Sequence, residues 1–385
     1  MTSFQKKARI KIGNIPGTRP SLYNNQLLVS TGIPSLDNVI GGGLAVGTLL
    51  IVEEDTFGGY AKLMLKYFIA EGIVSKQGVY LCSKQESHQQ ILQELPDPIL
   101  MIDRKSTESS AISQQPASQK PSKENSDDSG NEKMKIAWRY QNKPKVHTST
   151  TTGIQFGHHY DLTKVMNENH FDNSKLFFFN EENNSLHNDL TPLKNKEYFC
   201  LLQDIQHTID EFNKSQQKDE KNILRISVQS LGSPLWSENG GLRLSGEGYD
   251  QSLIQFFVSL RAKLRSTLAV GMITLPTYLF HDHAFVRRIE RLADYVIRLE
   301  SFAGSDKNPA FKEYHGLLHL VQVPRLNSLV PAQAETPDLA FKLKRKKFTI
   351  ERFHLPPDVG EPTKKENENL GASKSPCGTT DKLAF

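Results

Sequence analysis

Residues 48–61 have the order of a phosphate-binding strand, loop and helix but lack the residue types that bind phosphate. An apolar strand, 48–52, is followed by a short loop and then by a helical run. ATP-binding loops of this kind read G-x-x-x-x-G-K-[ST], because the lysine neutralises phosphates and the hydroxyl binds Mg²⁺. Aligned on that spacing, Glu54 replaces the first glycine, Tyr60 replaces the lysine and Ala61 replaces the hydroxyl residue. The pattern predicts the scaffold of a nucleotide site without its phosphate chemistry.

The loop is also acidic, which opposes phosphate binding. It carries Glu53, Glu54 and Asp55, and one carboxylate about 4 Å from a phosphate charge costs roughly 4 kcal/mol at an effective dielectric near 20. Gly58 and Gly59 could still shape an anion-binding nest. The alternative, which the helix dipole favours, is that the three carboxylates lie in solvent at a helix N-terminus. Both interpretations exclude an ordinary ATP site formed by this chain alone.

The strand that should carry the second signature of such ATPases lacks it as well. Residues 223–228 are mostly apolar, but Gln229 and Ser230 follow at the place where an aspartate would hold Mg²⁺ or its bound water. Because both halves of the metal and phosphate apparatus are missing, the sequence predicts that the isolated chain hydrolyses no ATP.

The amino-acid composition limits the classes of protein to which this chain could belong. The chain has 385 residues, enough for one large domain or two small ones, and its 37% of hydrophobic residues fits a globular core with polar insertions. Its net charge of +4 is too small to indicate nucleic-acid binding unless the charges cluster. The three cysteines are far apart, which predicts a reducing compartment and no zinc site. With no secretory signal and no membrane-length apolar run, we expect a soluble protein of cytoplasm and nucleus.

The order of elements predicts one α/β domain. We expect a flexible basic arm at 1–25, a domain at 26–356 and a disordered tail at 357–385. The domain is interrupted by an insertion at about 104–132, rich in Ser, Gln, Lys and Glu, and by a polar loop at about 213–222. Strand, helix and strand in succession predict a βαβ unit and a parallel sheet. Strands are predicted at 48–52, 79–82, 223–228, 268–274, 294–299, 316–323 and 346–353, and helices at 60–72, 201–212 and 251–268.

Separated blocks of sequence, spread over nearly the whole chain, occur in the order seen in one family. They include G-T-R-P-S at 17–21, K-M-K-I-A-W-R-Y at 133–140 and S-L-G-S-P-L-W at 230–236. Further blocks lie at 26–32, 41–47, 91–96, 314–317, 338–346 and 354–357. On these blocks the chain resembles the Elongator complex protein 4 family.

The resemblance implies a RecA-like fold with helices on both faces of the sheet and degenerate Walker motifs. It further implies a heterohexameric ring with Elongator subunits 5 and 6, which joins the core subunits, binds tRNA and supports wobble-uridine modification. The implied role is non-catalytic, with no cofactor in this chain and ATP only at ring interfaces. One rival is a divergent ATPase whose inter-subunit site uses Gly58, Gly59 and cations from a neighbour. Another is a KaiC-like or recombinase-like signalling or DNA-binding protein, which the T-G-I-P-S-L-D block at 31–37 alone would permit.

Two basic segments are candidate RNA contacts. Arg243 follows the 223–228 strand, where the resemblance implies a loop that faces the pore of the ring and contacts phosphate. A plain flexible connector is an equal alternative there. Lys344, Arg345 and Lys346 could contact RNA phosphates or form a nuclear address. The alternative is an edge strand protected by lysines, with Leu343 turned inward.

Two other groups of residues are less specific candidates for a functional site. Arg287, Arg288 and Arg291 could reach a neighbouring subunit's nucleotide as trans arginines, since sites of this type lie between subunits. Arginines of this kind more often pair with acidic side chains on a solvated face. His281 and His283 are two residues apart with no further ligand pattern, so a plain loop is expected and no metal site.

Overall fold

The structure is a computed structural model that describes ten segments of the chain. They are residues 15–21, 26–57, 59–99, 156–172, 174–180, 195–216, 221–236, 251–304, 313–324 and 338–353. Residues 1–352 form one compact unit, and residues 353–385 form a second, of which only Phe353 is described. The predicted insertion at 104–132 and the predicted tail at 357–385 lie outside the described residues.

The described residues form strands, six α-helices and short 3-10 turns. The strands are β1 (Thr18–Pro20), β2 (Leu27–Val29), β3 (Leu44–Ala45), β4 (Leu49–Glu53), β5 (Gly78–Cys82), β6 (Pro96–Pro98), β7 (Tyr160–Val165), β8 (Leu176–Phe178), β9 (Leu224–Val228), β10 (Ala269–Leu275), β11 (Tyr295–Ser301), β12 (Gly316–Gln322), β13 (Leu339–Lys344) and β14 (Lys347–Arg352). The helices are α1 (Pro34–Val39), α2 (Gly59–Val74), α3 (His88–Gln93), α4 (Lys196–Ser215), α5 (Gln251–Ser266) and α6 (His283–Leu292).

Nine of these strands form one mixed sheet in the order β14-β13-β12-β11-β4-β10-β9-β5-β8. From β11 to β8 every neighbouring pair is parallel, so the predicted α/β fold is confirmed. The end of the sheet from β11 to β14 is antiparallel. β13 and β14 are joined by the two-residue turn Arg345–Lys346, a connection that only antiparallel neighbours allow.

The central strands are mostly apolar, as expected for strands covered on both faces, with Glu53 and Arg225 as buried exceptions. On β4, Leu50 and Val52 enter a hydrophobic cluster with α2, whereas Leu49 and Ile51 enter a second cluster with α4, α5 and α6. Strands buried on both faces read as continuous apolar runs, as β4 does. Helices therefore cover both faces of the sheet, as the sequence predicts.

Residues 15–21, within the segment predicted as a flexible arm, are paired and packed in the structure. β1 pairs antiparallel with β2, Ile15 is buried, and the Gln77 side chain donates a hydrogen bond to the Pro16 carbonyl. Residues 15–21 therefore do not belong to the flexible arm expected over 1–25. Turn formers such as Pro16 and Gly17 resemble linker composition, but here they shape a turn whose ends are paired.

None of the described helices is long and apolar enough to cross a membrane.

Candidate functional site

The two degenerate signature loops meet at the carboxyl edge of the sheet. The parallel strand β10 lies between β4 and β9, so the residues that follow the three strands lie close together at the same edge of the sheet. The backbone N–H of Glu54 donates to the Leu275 carbonyl at 2.9 Å. The backbone N–H of Ser230 donates to Thr274 Oγ1 at 2.7 Å, and Ser230 Oγ donates to Glu54 Oε1 at 2.6 Å. A serine hydroxyl and a carboxylate thus face each other where phosphate and Mg²⁺ would bind.

The three acidic residues of this loop are buried, so the expectation of a solvated helix N-terminus is wrong. Glu53 is 0%, Glu54 is 8% and Asp55 is 4% exposed. The reason is tertiary: Arg298 on β11 contacts Glu53, whereas Ser230, after β9, and Thr274 on β10 contact Glu54. Their desolvated charges oppose the phosphates of ATP, so the residues at this edge do not fit that cofactor.

Glu53 has an arginine partner within the chain. Arg298 on β11 donates from Nε to Glu53 Oε2 at 2.6 Å and from Nη2 to Glu290 Oε1 at 3.0 Å. Burial raises the pKa of Glu53 to about 7, against the lowering effect of the Arg298 hydrogen bond. Arg298 is therefore committed to an internal contact.

Glu54 and Asp55 differ in how their charges are compensated. Burial raises the pKa of Glu54, and the hydroxyls of Ser230 and Thr274 partly lower it. Burial also raises the pKa of Asp55, although nearby backbone N–H groups act to lower it. Among the described residues, no group makes a hydrogen bond of good geometry to either carboxylate oxygen of Asp55.

Tyr60 takes the position of the phosphate-loop lysine and is turned into an aromatic cluster. Its ring centroid lies 4.6 Å from that of Phe341 and 6.4 Å from that of Phe348, and the His315 ring meets it edge-on. Ala61 is fully buried in the core. Tyr60 thus connects α2 to β13 and β14, and its role is in packing. Gly59 is the first residue of α2, and Gly58 lies outside the described residues.

Tyr60→Lys is expected to create no ATP hydrolysis and to lower the free energy of unfolding by about 2 kcal/mol, because it removes aromatic pairs and inserts a cation among apolar rings. Glu53, Glu54 and Ala61 would still oppose nucleotide binding. Magnesium-dependent ATP turnover and urea unfolding of the isolated chain measure the two effects. Tyr60→Phe keeps the ring and serves as the control. Turnover in the lysine variant would contradict the assignment of this loop.

The arginines near α6 fall into two groups. Arg261 and Arg265 on α5 both pair with the buried Asp294. Arg287, Arg288 and Arg291 are exposed on α6, and no ion pair within the described part of the chain involves them. The α5 arginines thus pair with a buried carboxylate, and the pairing on a solvated face expected for Arg287, Arg288 and Arg291 is not seen among the described residues.

Lys344, Arg345 and Lys346 are exposed: Lys344 is the last residue of β13, and the other two form the turn to β14. Leu343 packs against the hydrophobic core, which agrees with the inward orientation expected for it. The edge strand at this end is β14, however, and β13 is paired on both sides. The other predicted RNA contact, Arg243, lies outside the described residues.

The histidine pair does not form a plain loop. Asp282 caps α6 by accepting a hydrogen bond from the Ala284 backbone N–H, and His283 is the first residue of the helix. Within the described segments, no group of three or more His, Cys, Asp or Glu side chains could hold a metal ion.

A buried polar network was missed by reasoning from the sequence. Glu71 on α2 is fully buried and accepts from the His158 backbone N–H at 3.0 Å and from the Tyr160 hydroxyl at 2.8 Å. Arg225 on β9 is also fully buried, and its guanidinium donates to the Gln77 side chain and the Ser30 carbonyl. A charged residue inside an apolar helix or strand was the available signal. The network ties residues 156–160 to the domain, and its two charged members, Glu71 and Arg225, have no access to solvent.

The fold and this edge define an α/β protein that keeps the strand, loop and helix of a nucleotide-binding domain and has a buried acidic loop instead of a phosphate loop. The sequence profile of the PAXNEB protein family matches residues 11–385. The chain is similar to Elongator complex protein 4 of Xenopus laevis, with 44% identity over 98% of this chain and 93% of the relative. It is also similar to the Danio rerio protein of that name, with 46% identity over 94% and 89%. The Homo sapiens protein shows 44% identity over 94% and 86%. The chain belongs to the PAXNEB family, the family of Elongator complex protein 4, which confirms the resemblance.

Proposed function

We propose that this chain is a non-catalytic subunit of the Elongator complex, working in cytoplasm and nucleus. In this proposal it forms a heterohexameric ring with subunits 5 and 6, and the ring joins the core subunits, binds tRNA and supports wobble-uridine modification. The observation that carries the proposal is the similarity to Elongator complex protein 4 over nearly the full length of both chains.

The carboxyl edge of the sheet supports the non-catalytic part of the proposal. Glu54 stands where a glycine N–H would face phosphate, and Tyr60 packs against Phe341 instead of reaching a nucleotide. Any ATP bound in the ring would therefore need its cations and its Mg²⁺ ligands from a neighbouring subunit.

Co-expression of the full chain with subunits 5 and 6 tests the proposal. We expect a stable complex with the mass of two copies of each subunit. This complex should bind tRNA in a binding assay. The isolated chain should show no magnesium-dependent ATP turnover. Failure of the three proteins to assemble would overturn the proposed ring. If the isolated chain did hydrolyse ATP, and changes at Gly58 and Gly59 abolished the activity, the divergent ATPase would be supported instead.

The ring is expected to bind tRNA through many phosphate contacts, of which this chain supplies a few. Affinity should then fall by about 0.7 to 0.9 log units per neutralised phosphate for each tenfold rise in salt. Arg243→Ala should weaken binding and reduce the salt slope by roughly one contact per copy, with little change in preference among tRNAs. Salt titrations of wild-type and variant rings measure both effects.

Two further variants sharpen this experiment. Lys344→Ala tests the exposed basic residues at the end of β13, and Lys214→Ala on α4 removes the same charge from a surface with no proposed RNA contact. If all three variants lower affinity equally, the effect is one of net charge and not of a defined RNA surface. An unchanged slope for Arg243→Ala would remove that residue from the RNA contacts.

A further inference from the structure

Asp55 is the one acidic residue of the carboxyl edge whose charge is not compensated by a side chain in the described structure. Glu53 is bonded to Arg298, and Glu54 is bonded to Ser230. Asp55 is 4% exposed, and only backbone N–H groups such as those of Phe57 and Tyr60 lie near its carboxylate in the described structure, none with good hydrogen-bond geometry to its oxygens. Buried carboxylates without partners are rare because desolvation of the charge is costly. Such a group is expected where a ligand supplies the missing contact.

The surroundings of Asp55 suit a planar cation. Phe57 is 66% exposed and Tyr278 is 48% exposed, although both are large aromatic residues. Tyr278 lies close enough that the charges of Glu54 and Asp55 add to the burial that raises its pKa. Exposed aromatic faces beside a carboxylate match a guanidinium, which stacks on rings and donates two parallel hydrogen bonds to a carboxylate.

The described residues that follow Asp55 are loosely packed. Thr56 and Phe57 are exposed, and a side chain added at Gly59 would meet nothing within 4 Å. Phosphate is excluded by charge, and Mg²⁺ requires a near-octahedral set of oxygens that Asp55 and a Glu54 already bonded to Ser230 do not provide.

We propose that Asp55, with Glu54 beside it, accepts an arginine side chain from the neighbouring subunit of the ring. The acidic loop would then occupy the place of nucleotide phosphates as the anionic half of a contact between subunits, and the contact would need no nucleotide. The inference rests on the proposed ring and adds to it the chemistry of one interface. A guanidinium at this edge offsets the cost of desolvating the Asp55 carboxylate and donates hydrogen bonds to its oxygens.

Asp55→Asn separates this role from a purely structural one, because the two roles predict opposite effects. In the isolated chain the variant removes an unpaired buried charge, so the melting temperature should stay unchanged or rise. In the complex with subunits 5 and 6 the same variant removes one partner of a buried ion pair, so the apparent Kd for assembly should rise at least about 30-fold. Thermal unfolding and a dilution series by mass photometry or sedimentation measure the two quantities.

Asp204→Asn is the matched control, since Asp204 is a partly buried carboxyl on α4 that accepts a hydrogen bond from the Tyr80 hydroxyl and has a pKa raised by burial. We expect no change in assembly for that variant. Assembly of Asp55→Asn with wild-type affinity would overturn the inference and leave the ring intact. Equal losses in the isolated chain and in the complex would also overturn it, by assigning Asp55 to folding. If the wild-type chain does not assemble, the proposed function fails and the inference fails with it.

Discussion

Replacement of Glu71 by alanine is expected to lower the free energy of unfolding by about 3–5 kcal/mol, the cost of removing one partner from a buried charge network. The carboxylate is fully buried and accepts from His158, Tyr160 and Ser75. Its loss would leave these donors unpaired and the buried Arg225 without its nearest opposite charge. Burial acts to raise the pKa of Glu71, but the hydrogen bonds from His158 and Tyr160 and the charge of Arg225 lower it overall.

Urea unfolding of Glu71→Ala and of Glu94→Ala measures this cost against a matched control. Glu94 is also a carboxylate with an ion pair, to Lys66, but its side chain is 43% exposed. Solvent screens such pairs, so the control should lose less than about 1 kcal/mol. Because the pKa of Glu71 is lowered in the folded state, its contribution is present above pH 4.5 and is lost as the pH falls through the folded pKa. Equal losses in both variants would show that burial does not set the strength of the Glu71 network.

Asp37 is expected to make the isolated chain less stable as the pH rises from about 4 to 7. Burial raises the pKa of Asp37 to about 6, against the hydrogen bonds from Ser30 and Thr31, and the charge of Glu71 also raises it. Between its unfolded pKa of 3.8 and its folded pKa, the folded chain holds a proton that the unfolded chain has released. Stability from this group is therefore highest at acid pH and falls by about 3 kcal/mol once the pH exceeds 6.

Asp37→Asn isolates this effect, because an amide of the same shape does not titrate. The difference in unfolding free energy between wild type and variant should change with pH between 4 and 6 and be flat above about pH 7. The raised pKa values of Glu53, Glu54 and Asp55 change stability in the same direction, and the subtraction removes them. A difference that is constant with pH would show that Asp37 is ionised in the folded chain at acid pH.

The elements with strong apolar patterns were predictable from the sequence. The strand predicted at 48–52 is β4, Leu49–Glu53, and the helix predicted at 251–268 is α5, Gln251–Ser266. The elements that were missed are short or carry many charges, such as α6, whose ten residues include three exposed arginines, and β13, which runs into the basic turn. Both segments do carry a period, because Phe285, Val286 and Ile289 have helical spacing in α6 and the apolar residues of β13 alternate. The runs are short and mixed with basic residues, so they resemble solvated loops until their packing partners are known.

The sequence by itself determined that the phosphate loop is lost, because Tyr60 and Ala61 cannot do the chemistry of lysine and a hydroxyl wherever they lie. Only the tertiary structure decided what replaces that chemistry. Glu53 meets Arg298 across 245 residues of sequence, and the same folding buries Asp55 without a side-chain partner. Residue types fix what a group is able to bind, but burial and partners depend on contacts between remote segments. Those contacts turned an acidic run that looks solvated into a buried edge.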